Sequence, residues 1–171
     1  MYGTRSSCPL SSNLYGGYRG EIAKNLTSDV GYLRYQYPDN TLGNVPGFAN
    51  ANTDEIYGAL TWGIVTAKYS DSLSNLFGTP DSENSGYLEL SANFDLGNGW
   101  SVVPHVGHQT ISNNGALSYT DYALTLGKDF GHGLSASLAV EGTDASKTLY
   151  VTPDGRFTGR TGVVLGAKYT F

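Results

Sequence analysis

Residues 161–171, TGVVLGAKYTF, are the stretch whose reading decides the fold. In an extended strand successive side chains point to opposite faces. Val163, Leu165, Ala167, Tyr169 and Phe171 then make one wholly apolar face, while Val164, Gly166, Lys168 and Thr170 make the other. One face asks for an apolar surround and the other tolerates water. In a soluble protein, an edge strand of this kind that ends on an aromatic residue would have to be blunted or covered.

Composition narrows the setting in which such a strand makes sense. The chain has 171 residues, 23 Gly, 13 Tyr, 39% hydrophobic residues and a net charge of -5, which fits one domain. Mean hydropathy is only -0.26, and no run approaches the roughly 18 apolar residues of a membrane helix. That excludes helical spanning alone, because in a membrane barrel only every second residue faces lipid. The single Cys8 rules out an internal disulfide framework. An acidic balance with no Lys or Arg cluster argues against a nucleic-acid partner.

Working outward from the last strand, the same alternation recurs. Strands are expected at residues 14–22, 27–37, 55–61, 64–70, 86–95, 100–110, 118–130, 134–142 and 161–171. In residues 86–95 Leu88, Leu90, Ala92 and Phe94 oppose Glu89, Ser91, Asn93 and Asp95. In residues 27–37 Leu33, Tyr35 and Tyr37 are read as the apolar face, with Arg34 and Gln36 opposite. Pro104 interrupts residues 100–110, since it has no N–H for the ladder, and a bulge is expected there. Gly97-Asn98-Gly99 and Gly131-His132-Gly133 are tight turns, whereas residues 38–54, 71–85, 111–117 and 143–160 are long, polar loops.

Short and long connections therefore alternate along the whole chain. Outer-membrane barrels show this asymmetry, with short turns on the periplasmic side and longer loops outside. The fold expected is all-β, an antiparallel up-and-down transmembrane β-barrel. Residues 14–171 form the barrel domain, and residues 1–13, MYGTRSSCPLSSN, a non-barrel extension that has neither alternation nor the look of a secretory signal. Nine strands are an odd number, and single-chain bacterial barrels have even ones. The chain is accordingly expected to be a fragment that lacks strands upstream.

Two resemblances sharpen this expectation. Gly166, Tyr169 and Phe171, a glycine with aromatics at +3 and +5, resemble the C-terminal signal by which outer-membrane barrels are recognised by the assembly machinery. The segments LYGGYRGEIA, DVGYLRYQYPDN, TDEIYGAL, TAKYSDSL, SGYLELSANFDLGNGW, HVGHQ and YTDYALTLGKDF, together with the closing strand, resemble the proteobacterial TorF-type porin family across residues 14–171. That resemblance implies about three further strands ahead of residue 14, about twelve in all. It also implies a bacterial outer-membrane location, with lipid, lipopolysaccharide, the barrel-assembly machinery and small solutes as partners.

The alternation assigns roles to side chains. Arg19, Glu21, Arg34, Lys68, Glu89, Asn93, His105, Asp121, Glu141 and Lys168 are expected on the lumen face, because a charge facing lipid at mid-membrane costs ~2–4 kcal/mol for Arg or Lys. With its charges opposed, that lining is nearly neutral. It reads equally well as a passive solute pore that these charges make selective or as an ion-paired filling of a narrow barrel. Tyr37, Trp62, Tyr69 and Trp100 are expected in aromatic girdles, with Tyr169 and Phe171. No enzymatic motif or cofactor fingerprint occurs, so neither catalysis nor a cofactor is expected. His105 and His108 fall on opposite faces and cannot share a metal. A Ser-His-Asp set built across strands, such as Ser91, His105 and Asp121, is a catalytic arrangement the spacing permits. The rival readings are a closed structural or adhesive barrel, whose loop carboxylates Asp39, Asp54, Asp71, Asp81, Glu83 and Asp144 bridge divalent ions to lipopolysaccharide, and a soluble β-sandwich.

Overall fold

Turn chemistry sets the frame. In the computed structural model, which describes residues 11–151 and 155–171, the strands are β1 (Ser12–Ala23), β2 (Leu26–Gln36), β3 (Thr53–Trp62), β4 (Val65–Ser72), β5 (Gly86–Ala92), β6 (Phe94–Gly97), β7 (Trp100–Thr110), β8 (Tyr119–Gly131), β9 (Leu134–Thr143) and β10 (Gly162–Tyr169). Two-residue turns join β1 to β2, β3 to β4, β6 to β7 and β8 to β9, with left-handed backbone at Asn25 (φ 63°), Gly63 (58°), Asn98 (52°) and His132 (50°). Asn and Gly adopt that region cheaply, so these hairpins close tightly. Two of them repeat one motif, DLGNG at 95–99 and DFGHG at 129–133. In each, the aspartate accepts a hydrogen bond from the N–H two residues on, Gly97 to Asp95 at 2.8 Å and Gly131 to Asp129 at 2.7 Å, and the ladder shifts register at that point.

Every strand pairs antiparallel with its sequence neighbour, in the order β1-β2-β3-β4-β5-β7-β8-β9-β10, and β6 extends β5 along β7. The topology is up-and-down throughout, as the alternating connections require. Among the described residues β1 and β10 do not pair with each other, so the sheet is open. All the short turns lie on one rim, and residues 37–52, 73–85, 111–118, 144–151 and 155–161 lie on the other.

Register separates two chemically distinct faces, because directly paired residues of an antiparallel ladder share a face. Leu60 pairs with Ala67 and Ala67 with Leu90; Leu90 pairs with Val106, Val106 with Tyr122 and so on through Leu124, Val140 and Val163. This face is largely apolar from β1 to β10 and mostly exposed, to 73% at Trp62 and 80% at Leu165. The polar face is the more shielded one: along β3 the exposed positions are Ile56, Gly58, Leu60 and Trp62, with less exposed Tyr57, Ala59 and Thr61 between them. Along β8 Tyr122, Leu124 and Leu126 are exposed while Asp121, Ala123 and Thr125 are not. Shielding of alternate residues means that the polar face is the concave one. That is the reverse of a soluble sheet, whose apolar face is buried.

Three expectations need correction. In β2 the faces are reversed: Leu33 pairs with Tyr15 and Glu55, and Tyr35 with Thr53, on the polar side, while Arg34 pairs with Leu14 and Asp54 on the side of Val30, Leu60 and Trp62. Arg34 is therefore on the outer face. The local pattern misleads because Tyr35 leans on the loop aromatic Phe77, ring centroids 5.0 Å apart, so an apolar residue finds an apolar partner inside. Tyr37 follows the end of β2, in register with inner Tyr35, and donates its backbone N–H to Asn52 at 2.8 Å, so it is not on an outer-face girdle. Pro104 makes no bulge. Ser91 pairs with His105 and Phe94 with Val102 in one unshifted register, and the pairing with β7 lapses only at Ala92 and Asn93, opposite Pro104 and Val103, where the proline N–H is missing.

The β8–β9 turn, which packs against the end of β10, offers a direct check on this architecture. Gly131 and Gly133 have nearly equal φ, 78° and 79°, but a Cβ on Gly133 would overlap the Thr170 carbonyl oxygen, whereas one on Gly131 would meet nothing. Gly131→Ala should cost about 1–2 kcal/mol, the left-handed penalty alone. Gly133→Ala should cost clearly more and loosen β10, read as the shift of the denaturant midpoint. Equal losses would contradict the strand placement.

Candidate functional site

The inner face collects most of the residues expected there. Arg19 pairs with Asp29, Glu21 with Thr27, Lys68 with Ala59 and Glu89, His105 with Ser91 and Ala123, Asp121 with Gly107, Glu141 with Ala123 and Gly162, and Lys168 with Ser135. Asn93 has inner parity and sits in the gap between β5 and β6, its N–H donating to the Ile64 carbonyl at 2.8 Å. Asp29 and Glu55 join this face and Arg34 leaves it, so the expected near-neutral lining gives way to an acidic one. Glu21, Asp29, Glu55, Glu89, Asp121 and Glu141 stand against Arg19, Lys68 and Lys168. Asp29 escaped sequence reading because the face of β2 was reversed, and Glu55 because it opens the strand expected at 55–61, whose faces the local pattern did not assign.

A cluster sits at the centre of β5, β7 and β8. The His105 Nε2 lies 2.9 Å from Asp121 Oδ1, and its Nδ1 lies 3.9 Å from Glu89. The Tyr87 hydroxyl donates to the Asp121 carboxylate at 3.0 and 3.1 Å and lies 3.2 Å from His105 Nε2. Tyr87 reaches that far because Gly107 stands under its ring, where any Cβ would overlap the phenol oxygen. Tyr57 repeats the device on β3, its ring over Gly31 and its hydroxyl donating to Asp29 at 3.2 Å. Glycine gaps covered by a neighbouring tyrosine keep a curved sheet packed. His108 is on the outer face with Thr120, 3.0 Å from its hydroxyl, and so points away from His105.

The long loops are chained to one another along their rim. Ala49 N–H donates to the Gly78 carbonyl, Asn113 and Asn114 side chains donate to the Asp81 and Pro80 carbonyls, and Tyr150 donates to the Leu117 carbonyl at 2.5 Å. The tightest packing belongs to this rim: Thr53, Ser72, Ser82, Ser85, Leu76, Ile111 and Ala145 are buried. Hydroxyls satisfy the loop backbone there, with Ser82 accepting from Leu76 N–H and donating to the Thr79 carbonyl. Burial, and secondarily Tyr119, pushes the Tyr150 phenol up to about 12, so it stays protonated and remains a donor.

The last loop also turns toward the inner face. Tyr150, Thr158 and Arg160 join Tyr87, Glu89, His105, Asp121 and Glu141 around a cleft of about 720 Å³. On the outer face the aromatics mark the turn rim: Trp62 and Trp100 stand there with Tyr169 and Phe171, whose rings are 6.4 Å apart. Lys128 lies 5.1 Å over the Trp100 ring. Tyr69 is also outward, its ring beside Gly86 toward the loop rim. Among Gly166, Tyr169 and Phe171, the glycine is inner and packs beside Ser137, and Tyr169 is outer.

These features define an antiparallel up-and-down β protein with an apolar exterior and an acidic, concave interior. The chain belongs to Gcw_chp, a family of bacterial proteins of unknown function whose model matches residues 3–171, so the match takes in part of the segment set apart as an extension. A solved structure described as a porin refined at 1.8 Å is similar at 20% identity and a TM-score of 0.49, over 94% of this chain and 51% of that one. The chain thus spans about half the length of that porin chain. No curated protein matches it.

The central cluster predicts a graded response at Tyr87. Tyr87→Phe keeps the ring over Gly107 and loses the contacts to Asp121 and His105, for a loss of about 1 kcal/mol. Tyr87→Ala should lose about 3 kcal/mol or more, because the glycine gap is then uncovered as well. Unfolding midpoints of the two variants, compared with the parent, check this order.

Proposed function

We propose that this chain is an outer-membrane β-barrel protein of the TorF porin type, which passes small solutes and favours cations. The observation that carries the reading is the continuous exposed apolar face. No described residue covers it, while the polar face is shielded. Lipid is the solvent in which that distribution is stable, since the sheet ladder satisfies backbone groups internally and the apolar side chains meet hydrocarbon. Trp62, Trp100, Tyr169 and Phe171 on the turn rim suit a periplasmic interface, and Lys128 beside Trp100 suits phospholipid headgroups there. The Gly166, Tyr169 and Phe171 pattern supports recognition of β10 by the barrel-assembly machinery. No enzymatic role is proposed: among the described residues Ser91 has no hydrogen bond to His105, whose Nε2 is already engaged by Asp121 and Tyr87.

A second reading has one observation in its favour. The loop rim is packed rather than loose, and Asp81, Glu83, Asn75, Asn84 and Asn113 surround a space of about 310 Å³. In that reading the loops hold divalent ions against lipopolysaccharide, and chelation would release the protein from lipopolysaccharide without changing any conductance.

Adjacent positions on β8 test the membrane face. Leu124 is outer and Thr125 inner. In lipid vesicles Leu124→Arg should cost ~2–4 kcal/mol and Thr125→Arg far less. Equal costs would remove the lipid-facing assignment.

Conductance tests the lining. Planar bilayers containing the protein should show cation preference, and Lys168→Glu should strengthen it with little change in stability, because lumen substitutions tune selectivity. Unchanged selectivity with a large stability loss would mean that the inner charges fill the barrel instead of lining a path.

A further inference from the structure

We infer that the cleft between the inner face and the loop after β9 is a binding site for a small organic amine, a basic amino acid in particular. Its wall carries three carboxylates, Glu89, Asp121 and Glu141, and no lysine lines it. Asp121 is engaged by Tyr87 and His105, but Glu141 makes no hydrogen bond or ion pair among the described residues, so a charge facing the cleft is left without a partner. The aromatic component is separate from the acids. Tyr119 and Tyr150 form an edge-to-face pair, centroids 5.6 Å apart, and line the same space. The Tyr150 hydroxyl is spent on the Leu117 carbonyl, which fixes its ring against the cleft. Ring faces beside carboxylates attract an ammonium group by both charge and quadrupole. Arg160, on the loop side, is the one lysine or arginine among the described residues that lines this cleft, and it suits the carboxylate of the same ligand. Acids on one wall and a guanidinium on the other match a molecule with an amine at one end and an amino-acid carboxylate at the other. A space of about 720 Å³ is large enough for such a molecule.

This inference names the solute class for the channel reading and rests on it only for the site's place in a pore. The test is calorimetric titration of the folded protein in detergent with L-lysine, 1,4-diaminobutane and L-glutamate, beside conductance in bilayers. L-lysine and 1,4-diaminobutane should bind saturably and reduce single-channel current, and L-glutamate should do neither. Glu141→Gln should weaken both amines roughly fivefold, the size of a partly exposed charge pair. Arg160→Gln should weaken L-lysine alone, since the diamine has no carboxylate. Binding of the amines by a protein that does not conduct would uphold the site and remove the channel. Conductance with no saturable amine binding, or with L-glutamate bound as well as L-lysine, would overturn the site and leave the channel. The comparison of the three ligands on the parent protein stands even if a variant fails to fold.

Discussion

The constraint on which this structure depends is the strand ladder's satisfaction of its own backbone. A sheet whose outer side chains are Leu, Val, Ile, Trp and Tyr has no apolar core to gather them, and the described residues hold few buried apolar side chains apart from the loop rim. Cohesion within the sheet must come from N–H to C=O pairing between neighbours and from cross-strand contacts. The pairing runs from β1 to β10 with one lapse, at Ala92 and Asn93, where Pro104 opposite withholds a donor. In hydrocarbon each unpaired backbone group costs several kcal/mol, so the same ladder that looks weak in water is obligatory in lipid.

The two rims solve different problems. At the turn rim, DxGxG hairpins reverse the chain in the fewest residues, and the aspartate closes each turn through its own carboxylate. At the loop rim, serine, threonine and asparagine side chains bond the loop backbones to one another, so that long connections are held as a packed belt with a polar interior. Buried hydroxyls are acceptable there because each has partners; no buried side-chain polar atom among the described residues lacks one. The belt also explains how residues far apart in sequence, Glu141 and Arg160 among them, come to share a cleft.

Strand positions and the alternation of short and long connections were legible in the sequence, because period-two patterning and Asn-Gly or Gly-His-Gly turns are local signals. Strands expected at 86–95 and 134–142 are observed as β5 with β6 and as β9, within a residue or two at each end. Faces were legible wherever small or charged residues alternated with aliphatic ones. They failed in β2, where Leu33 and Tyr35 look lipid-facing yet lie inside, Tyr35 against Phe77 from a loop, and where Arg34 is tolerated outside because Asp54 neutralises it at 3.0 Å and Tyr32 also bonds that carboxylate. Such contacts join residues about 20 apart, or a strand to a loop, and period-two reading is blind to them. For the same reason the individual inner residues of the site were nameable, but the Tyr87 bridge over Gly107 and the inward turn of the last loop were not.

The account stands or falls on which face of the sheet meets lipid. The most direct measurement is a scan of single spin labels through residues 119–127 of β8 in liposomes, with Cys8 replaced by serine, reading accessibility to oxygen and to a water-soluble nickel reagent. The account predicts a period of two: Tyr122, Leu124 and Leu126 accessible to oxygen and closed to nickel, Asp121, Ala123 and Thr125 the reverse. A flat profile, or nickel access at Leu124 equal to that at Thr125, would contradict it.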